Sequence, residues 1–192
     1  MNTEMQDMQE ELERMRRVAD QLCSCHAMLR DRFARLSFYL DIGLLVVTAW
    51  LTVIALIDQK FYPWVVPNWI EPSLGIGLLG FFTFCGVLFQ FKSDWRGKSE
   101  AHGRTHAMYS EVKREAGYIL ATSETVEPKE FQRLATRYDM ASDSGIPIPD
   151  KLFLKLKKMH LQKVAISKLL DAKPGLSILL TKTKMFFGDN WS

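Results

Sequence analysis

The sequence predicts an all-α membrane protein in which a two-span transmembrane helical hairpin is joined to long cytoplasmic helices that form a small helical bundle. Two apolar runs in the middle of the chain contain no charged side chain, and the residues before them repeat apolar positions in a heptad pattern. The residues after them show amphipathic helical periodicity. We therefore divide the chain into a cytoplasmic heptad helix (1–36), the transmembrane hairpin (37–92) and a cytoplasmic helical domain with a basic C-terminal helix and tail (93–192).

The two apolar runs, residues 42–57 and 74–91, are long enough to cross a bilayer. A helix rises about 1.5 Å per residue and the hydrocarbon core is about 30 Å thick, so a span takes about 20 residues. We predict spans over about 38–57 and 74–92, joined by an outer loop, 58–73, whose aromatic rings suit the headgroup layer. A pair of helices buried in a soluble core is the alternative, although such helices seldom stay free of charge over this length.

Positive charge is concentrated on one side of the predicted hairpin. Arginines precede the first span and further cations follow the second, whereas the connecting loop carries Lys60 alone. The positive-inside rule therefore places both termini in the cytoplasm. The first 36 residues are charged throughout, so we expect the hairpin itself, and no cleaved signal peptide, to target the chain to the membrane. The flanking cations are Arg30, Arg32, Arg35, Lys92, Arg96, Lys98 and Arg104.

The heptad helix has an apolar seam that needs a partner. One possible partner is the same helix in neighbouring copies, which would make the chain a homo-oligomer. The other is the helix after the second span, which carries its own stripe of Trp95, His102, Tyr109, Val112, Ala116 and Ile119. Both possibilities stay open, and they can coexist. The seam consists of Met5, Met8, Leu12, Met15, Ala19, Leu22, His26, Leu29, Phe33 and Leu36.

Histidines on these helices suggest a register-fixing or proton-sensitive role more than a metal site. His26 occupies an a position, where a polar residue fixes register or responds to pH. His102 and His106 stand one turn apart, but the helix lacks the intervening glutamate of a zincin motif. We predict no metal site and no cofactor.

Polar and small residues within the spans are candidates for a pore lining or for span packing. Asp41 lies one turn inside the first span, where a carboxylate needs water or a partner such as Lys92. It either marks the interface or lines a water-filled path. Threonines can hydrogen-bond across helices, and glycines let helices approach closely. The candidates are Asp41, Thr48, Thr52, Gly77, Gly80, Thr83 and Gly86.

Excess positive charge lies in the C-terminal half of the chain. Residues 92–192 contain eighteen Lys and Arg against twelve Asp and Glu. This positive charge predicts the lipid bilayer as a partner. We do not expect direct binding of nucleic acid, because the sequence contains no recognised nucleic-acid-binding motif. No catalytic motif occurs either, so we predict a non-enzymatic protein. Four lysines of the last long helix are candidates for contact with the membrane surface or a partner, or form a solvated face: Lys155, Lys158, Lys163 and Lys168.

The order of these segments resembles a known family. The chain has a pre-membrane helix, a two-span hairpin, the helix SDWRGKSEAHGRTHAMYSEVKREAGYIL with Trp95 and Tyr109, and GIPIP before a final helix. This arrangement is similar to SLATT domains, which are bacterial two-span effectors associated with nucleotide-messenger or retron-type defence systems. The resemblance implies an oligomerising inner-membrane effector of abortive infection that permeabilises the membrane when a sensor protein or messenger triggers it. The alternative is a non-conducting anchor that recruits a partner protein through its coiled-coil helix.

Overall fold

The computed structural model describes residues 2–56, 72–122 and 126–190, and within these ranges all regular structure is α-helical. The predicted all-α class is therefore confirmed. The predicted outer loop falls outside the described residues except for its last two positions. The helices are α1 (Asn2–Leu56), α2 (Pro72–Ser93), α3 (Trp95–Thr122), α4 (Pro128–Ser144), α5 (Asp150–Ala172) and α6 (Ile178–Asn190).

The chain forms two compact units. The first unit combines Met1–Leu29 with Ala101–Ser192, and the second consists of Arg30–Glu100. Helix α1 contributes to both units, because it continues without a break from the heptad segment into the first apolar run. Helix α3 also contributes to both, since the boundary at residue 100 falls within it. The predicted heptad helix and the first predicted span therefore lie on a single α-helix of 55 residues.

The core of the first unit is made by α1, α3 and α4. Leu12 of α1, Ile119 of α3 and Leu134 of α4 are each at most 2% exposed and belong to one apolar cluster. The stripe predicted for α3 supplies its side of this core at His102, Tyr109, Val112, Ala116 and Ile119. Burying a leucine-sized side chain contributes roughly 1.5–3 kcal/mol, so this cluster is the main source of stability in the unit.

The segment between α4 and α5 is held against α3 by a close backbone contact. The Ile146 N–H donates to Thr105 Oγ1 at 3.1 Å, and Thr105 Oγ1 donates in turn to the Ala101 carbonyl. A Cβ at Gly145 would lie 2.9 Å from Thr105 Cγ2 and 2.5 Å from the Ala141 carbonyl oxygen. Gly145 is therefore the residue that lets the GIPIP segment reach the buried threonine.

In the second unit α1 and α2 approach each other near Gly86. A Cβ at Gly86 would lie 2.9 Å from Leu44 Cδ2, which is closer than real Cβ contacts. The missing side chain therefore allows the two apolar helices to pack side by side at this level.

A one-residue break separates α2 from α3. Asp94 has φ 42°, a left-handed conformation that aspartate tolerates better than most residues. Its carboxylate accepts a hydrogen bond from the Gly97 N–H at 3.1 Å and so caps the first turn of α3. The sequence predicted a helix continuing from Ser93, and the structure instead ends α2 there and begins α3 at Trp95.

Candidate functional site

The apolar stretches of α1 and α2 expose their large side chains instead of burying them. Within residues 74–93 of α2 no residue is buried, and in residues 38–56 of α1 only Ile54 is. Phe91 is 86% exposed and Leu56 is 82% exposed. Both helices are long and apolar enough to cross a membrane. A soluble core helix would hide such a surface, because each large apolar side chain left in water forgoes roughly 1.5–3 kcal/mol.

A polar contact joins the two apolar helices at one end. The Gln90 Nε2 of α2 donates a short hydrogen bond to Asp41 Oδ1 of α1, and Ser37 Oγ donates to Asp41 Oδ2 at 3.4 Å. Both carboxylate oxygens of Asp41 therefore have donors. The sequence left water or a partner such as Lys92 open for Asp41. It did not indicate Gln90, because an uncharged amide gives no charge-pairing signal.

The threonines of the two apolar helices donate to their own backbone. Thr48 Oγ1 lies 2.8 Å from the Leu44 carbonyl oxygen, Thr52 Oγ1 lies 2.9 Å from the Thr48 carbonyl, and Thr83 Oγ1 lies 2.7 Å from the Leu79 carbonyl. A hydroxyl has a single proton to donate. These three side chains therefore do not donate across the helix pair in this arrangement, and only their acceptor lone pairs are available to other groups.

The candidate glycines divide into two faces of α2. Gly86 faces Leu44 of α1, whereas a Cβ at Gly77 or Gly80 would meet no atom within 4 Å among the residues that the structure describes. At about 100° per residue, Gly77 lies about 180° and Gly80 about 120° around the helix from Gly86. Gly86 therefore serves packing within the chain, and the other two mark an uncovered face of small residues.

The heptad seam packs within its own chain. Leu12, Met15, Ala19 and Leu29 are buried, and Leu12 and Ala19 share the apolar cluster with α3 and α4. Phe33 and Leu36, which belong to the second unit, are half-buried, as are Met8 and Leu22, while the Met5 side chain lies outside the described part. The intrachain partner left open by the sequence is the one seen in the structure. A partnership between copies along this seam stays a prediction.

Two side-chain pairs connect α1 and α3 beside this core. His26 Nδ1 lies 2.9 Å from His102 Nδ1, and Cys23 Sγ lies 3.0 Å from His106 Nδ1. The ring of Tyr109 stacks on His26 with centroids 5.9 Å apart. The antiparallel course of the two helices produces both pairs, since Cys23 and His26 stand one turn apart on α1, and His102 and His106 one turn apart on α3. The sequence placed His26 and His102 on facing stripes, but it predicted neither pair.

Burial sets the protonation of this cluster. His26 is 2% exposed, and desolvation together with the nearby His102 and His106 lowers its pKa to about 4. Burial also lowers the pKa of His102 and raises the pKa of the Cys25 thiol. Near neutral pH the imidazoles of His26 and His102 are therefore uncharged, and one of them donates the hydrogen bond between them. The buried Cys25 thiol is therefore protonated near neutral pH and is a poor nucleophile.

The capacity of this cluster for metal is limited by its geometry. Among the side chains that the structure describes, no three His, Cys, Asp or Glu groups come together as a possible metal site. His102 and His106 turn to different partners on α1 and do not share a ligand position.

The four candidate lysines are all exposed on α5. Lys163 also lines a cavity of about 420 Å³ between α5 and α6, together with Lys182, several apolar side chains of these helices and Met28 of α1. No protein-family model, curated protein or solved structure matches the chain.

Proposed function

We propose that the chain is an oligomerising membrane effector that permeabilises or depolarises the bacterial inner membrane when triggered, as part of an abortive-infection type of defence. The observation that carries the proposal is the exposed apolar surface of α1 and α2, which lacks a covering partner among the described residues and matches lipid as a solvent. The resemblance to SLATT domains supplies the biological setting, including a trigger from a sensor protein or a nucleotide-messenger or retron-type system.

The proposed topology follows from charge. With α1 and α2 as spans, the arginines before the first and the cations after the second lie in the cytoplasm, and Lys60 lies outside. Both termini are then cytoplasmic, as is the unit that contains α4, α5 and α6.

Assembly is required because two spans cannot enclose a pore. The open face of α2 at Gly77 and Gly80 supports close approach of a helix from another copy, since a Cβ there would meet no atom of the described residues within 4 Å. Asp41 and Gln90 place polar groups at one end of each hairpin, where a ring of copies would bring several carboxylates together. Ion passage along such a ring is the proposed consequence.

The alternative, an anchor that recruits a partner through its coiled-coil helix, is less well supported. Leu12 and Ala19 of the seam are 0% exposed because α3 and α4 cover them. A partner could use this seam only after the three-helix core had opened, which would expose several large apolar side chains.

Expression in a bacterial host with a voltage-sensitive dye tests the proposal. We expect depolarisation and growth arrest on induction of the wild-type chain. The double substitution Gly77→Leu and Gly80→Leu fills the open face and is expected to abolish depolarisation, whereas Gly175→Leu, which also points into open space but lies outside the spans, is expected to retain it. Unchanged potential and growth with the chain recovered in the membrane fraction would favour the anchor.

A further inference from the structure

Charge is unevenly divided between the C-terminal segment and the rest of the chain. Residues 150–192 contain nine lysines and three aspartates, with no arginine or glutamate. Residues 1–149 contain sixteen Lys and Arg against nineteen Asp and Glu. The net positive charge of the protein therefore comes entirely from its last 43 residues, although the remainder is about three times longer.

The same segment exposes large apolar side chains beside its lysines. Helix α6 packs back on α5, and every residue from 171 to 180 is exposed. Leu154 of α5 is 73% exposed, and Leu179 and Leu180 of α6 are 75% and 68% exposed. Lysine stems and apolar side chains interleaved along helices are typical of elements that lie in a membrane interface.

The cavity between α5 and α6 has the same mixed character. Its lining includes Met159, Ile166 and Leu170 together with the ammonium-bearing Lys163 and Lys182. A space of about 420 Å³ with apolar walls and two cations suits an amphipathic molecule that has an anionic head.

We propose that the α5–α6 hairpin is a peripheral docking element for anionic phospholipid, in which the exposed leucines enter the interface and the lysines contact phosphate. The inference rests on the proposed function, because it requires a membrane on the same side as this hairpin. A second copy of the chain is a poorer occupant, because two such hairpins would bring two strongly positive surfaces together. Anionic headgroups instead neutralise the lysines, and each lysine near the surface strengthens association about fivefold.

Hydrogen–deuterium exchange of the full chain in nanodiscs tests this inference. One set of discs contains phosphatidylcholine alone, and the other contains phosphatidylcholine mixed with phosphatidylglycerol. We expect amides of residues 150–190 to exchange at least tenfold more slowly in the anionic discs, because docking suppresses local opening of the two exposed helices. We expect the α2 amides to be protected in both sets.

Matched variants separate the charge and apolar contributions. Replacing Lys155, Lys158, Lys163 and Lys168 with glutamine should remove the lipid-dependent protection. Removing four exposed cations elsewhere, at Arg16, Arg17, Arg114 and Lys129, should leave it intact. The exposed pair Leu179→Ser and Leu180→Ser should also remove it, whereas Tyr118→Ser and Met140→Ser, which are 68% and 63% exposed outside the hairpin, should not.

The outcomes distinguish this inference from the proposed function. Equal exchange rates of the α5 and α6 amides in the two lipid compositions would overturn the docking inference. Protected α2 amides in the same experiment would still support membrane insertion. Unprotected α2 amides would overturn the membrane proposal itself. Protection that depends on the number of chains per disc, and not on lipid charge, would assign the surface to a second copy and also overturn the inference.

Discussion

His26 of α1 and His102 of α3 share a hydrogen bond between their Nδ1 atoms, 2.9 Å apart in a buried layer of the helical core. Only one of the two rings can donate in that bond, so the pair holds a single proton between the two Nδ1 atoms. Tyr109 covers the His26 face and excludes water from it. Protonating both Nδ1 atoms would break the bond and place a cation in this layer.

Acid is therefore expected to destabilise the first unit through this pair. The folded-state pKa of His26 is about 4 against an ordinary value of 6.5, so the unfolded chain takes up the proton first. The stability that His26 contributes is fully present above about pH 6.5 and is lost as the pH falls toward 4, to a limit of roughly 3 kcal/mol. Thermal melting of the detergent-solubilised chain, followed by circular dichroism across this range, measures the loss.

A double variant isolates the histidine contribution to that pH dependence. Replacing His26 and His102 together with leucine removes both titrating groups and leaves neither ring unpaired. Carboxylate titrations are common to both proteins and cancel in the difference between their melting curves. A wild-type melting temperature that falls no more steeply than that of the double variant would show that the pair is not the acid-sensitive element.

Truncation of the seam distinguishes packing within the chain from packing between copies. Leu12 is 0% exposed and contacts the α3–α4 core, so Leu12→Ala is expected to destabilise the fold by about 2–5 kcal/mol. The control Met140→Ala removes a side chain that is largely exposed and should change stability by about 0.5 kcal/mol or less. Melting curves recorded over a range of protein concentrations provide the measurement. A Leu12→Ala loss that grows on dilution would mean that the seam joins copies.

Periodicity was sufficient to predict much of this fold. The amphipathic helices predicted after the second span appear as Pro128–Ser144 and Asp150–Ala172, and the stripe of α3 supplies the core as expected. Each of these predictions depends only on which residues share one helix face, which is a local property of the sequence.

Relations between helices were harder to predict because they depend on register. Gln90 and Lys92 are about 200° apart around α2, so choosing which one meets Asp41 requires the rotation of α2 against α1. The break at Asp94 also lacked a sequence signal, since no glycine or proline occupies that position and the left-handed backbone is an uncommon choice for aspartate. The pairing of Cys23 with His106 needed the axial offset between α1 and α3.

The contact between Asp41 and Gln90 is expected to be weak but specific. Interhelical side-chain hydrogen bonds in membrane proteins contribute about 0.6 kcal/mol on average. A double-mutant cycle with Asp41→Leu and Gln90→Leu, read from unfolding in detergent, should give a coupling energy of about that size. The pair Thr52→Ala and Gln90→Leu provides a control, since Thr52 donates to the Thr48 carbonyl and Gln90 to Asp41, so their hydrogen bonds go to different partners. A coupling near zero for Asp41 and Gln90 would assign both groups to solvent.

Valine substitutions on opposite faces of α2 separate packing within a hairpin from packing between hairpins. Gly86→Val forces a branched side chain against Leu44 Cδ2, which already lies 2.9 Å from an ideal Cβ, so it is expected to cost about 1–3 kcal/mol of hairpin stability. Gly77→Val adds the same residue type where nothing lies within 4 Å, so helix propensity is matched and overpacking is absent. Melting in detergent should therefore be lowered by the first substitution and not by the second. Light scattering after size-exclusion chromatography should instead report a smaller assembly for Gly77→Val, because the proposed contact between copies uses that face. Equal melting temperatures for the two variants would contradict the packing of α2 against α1 at Gly86.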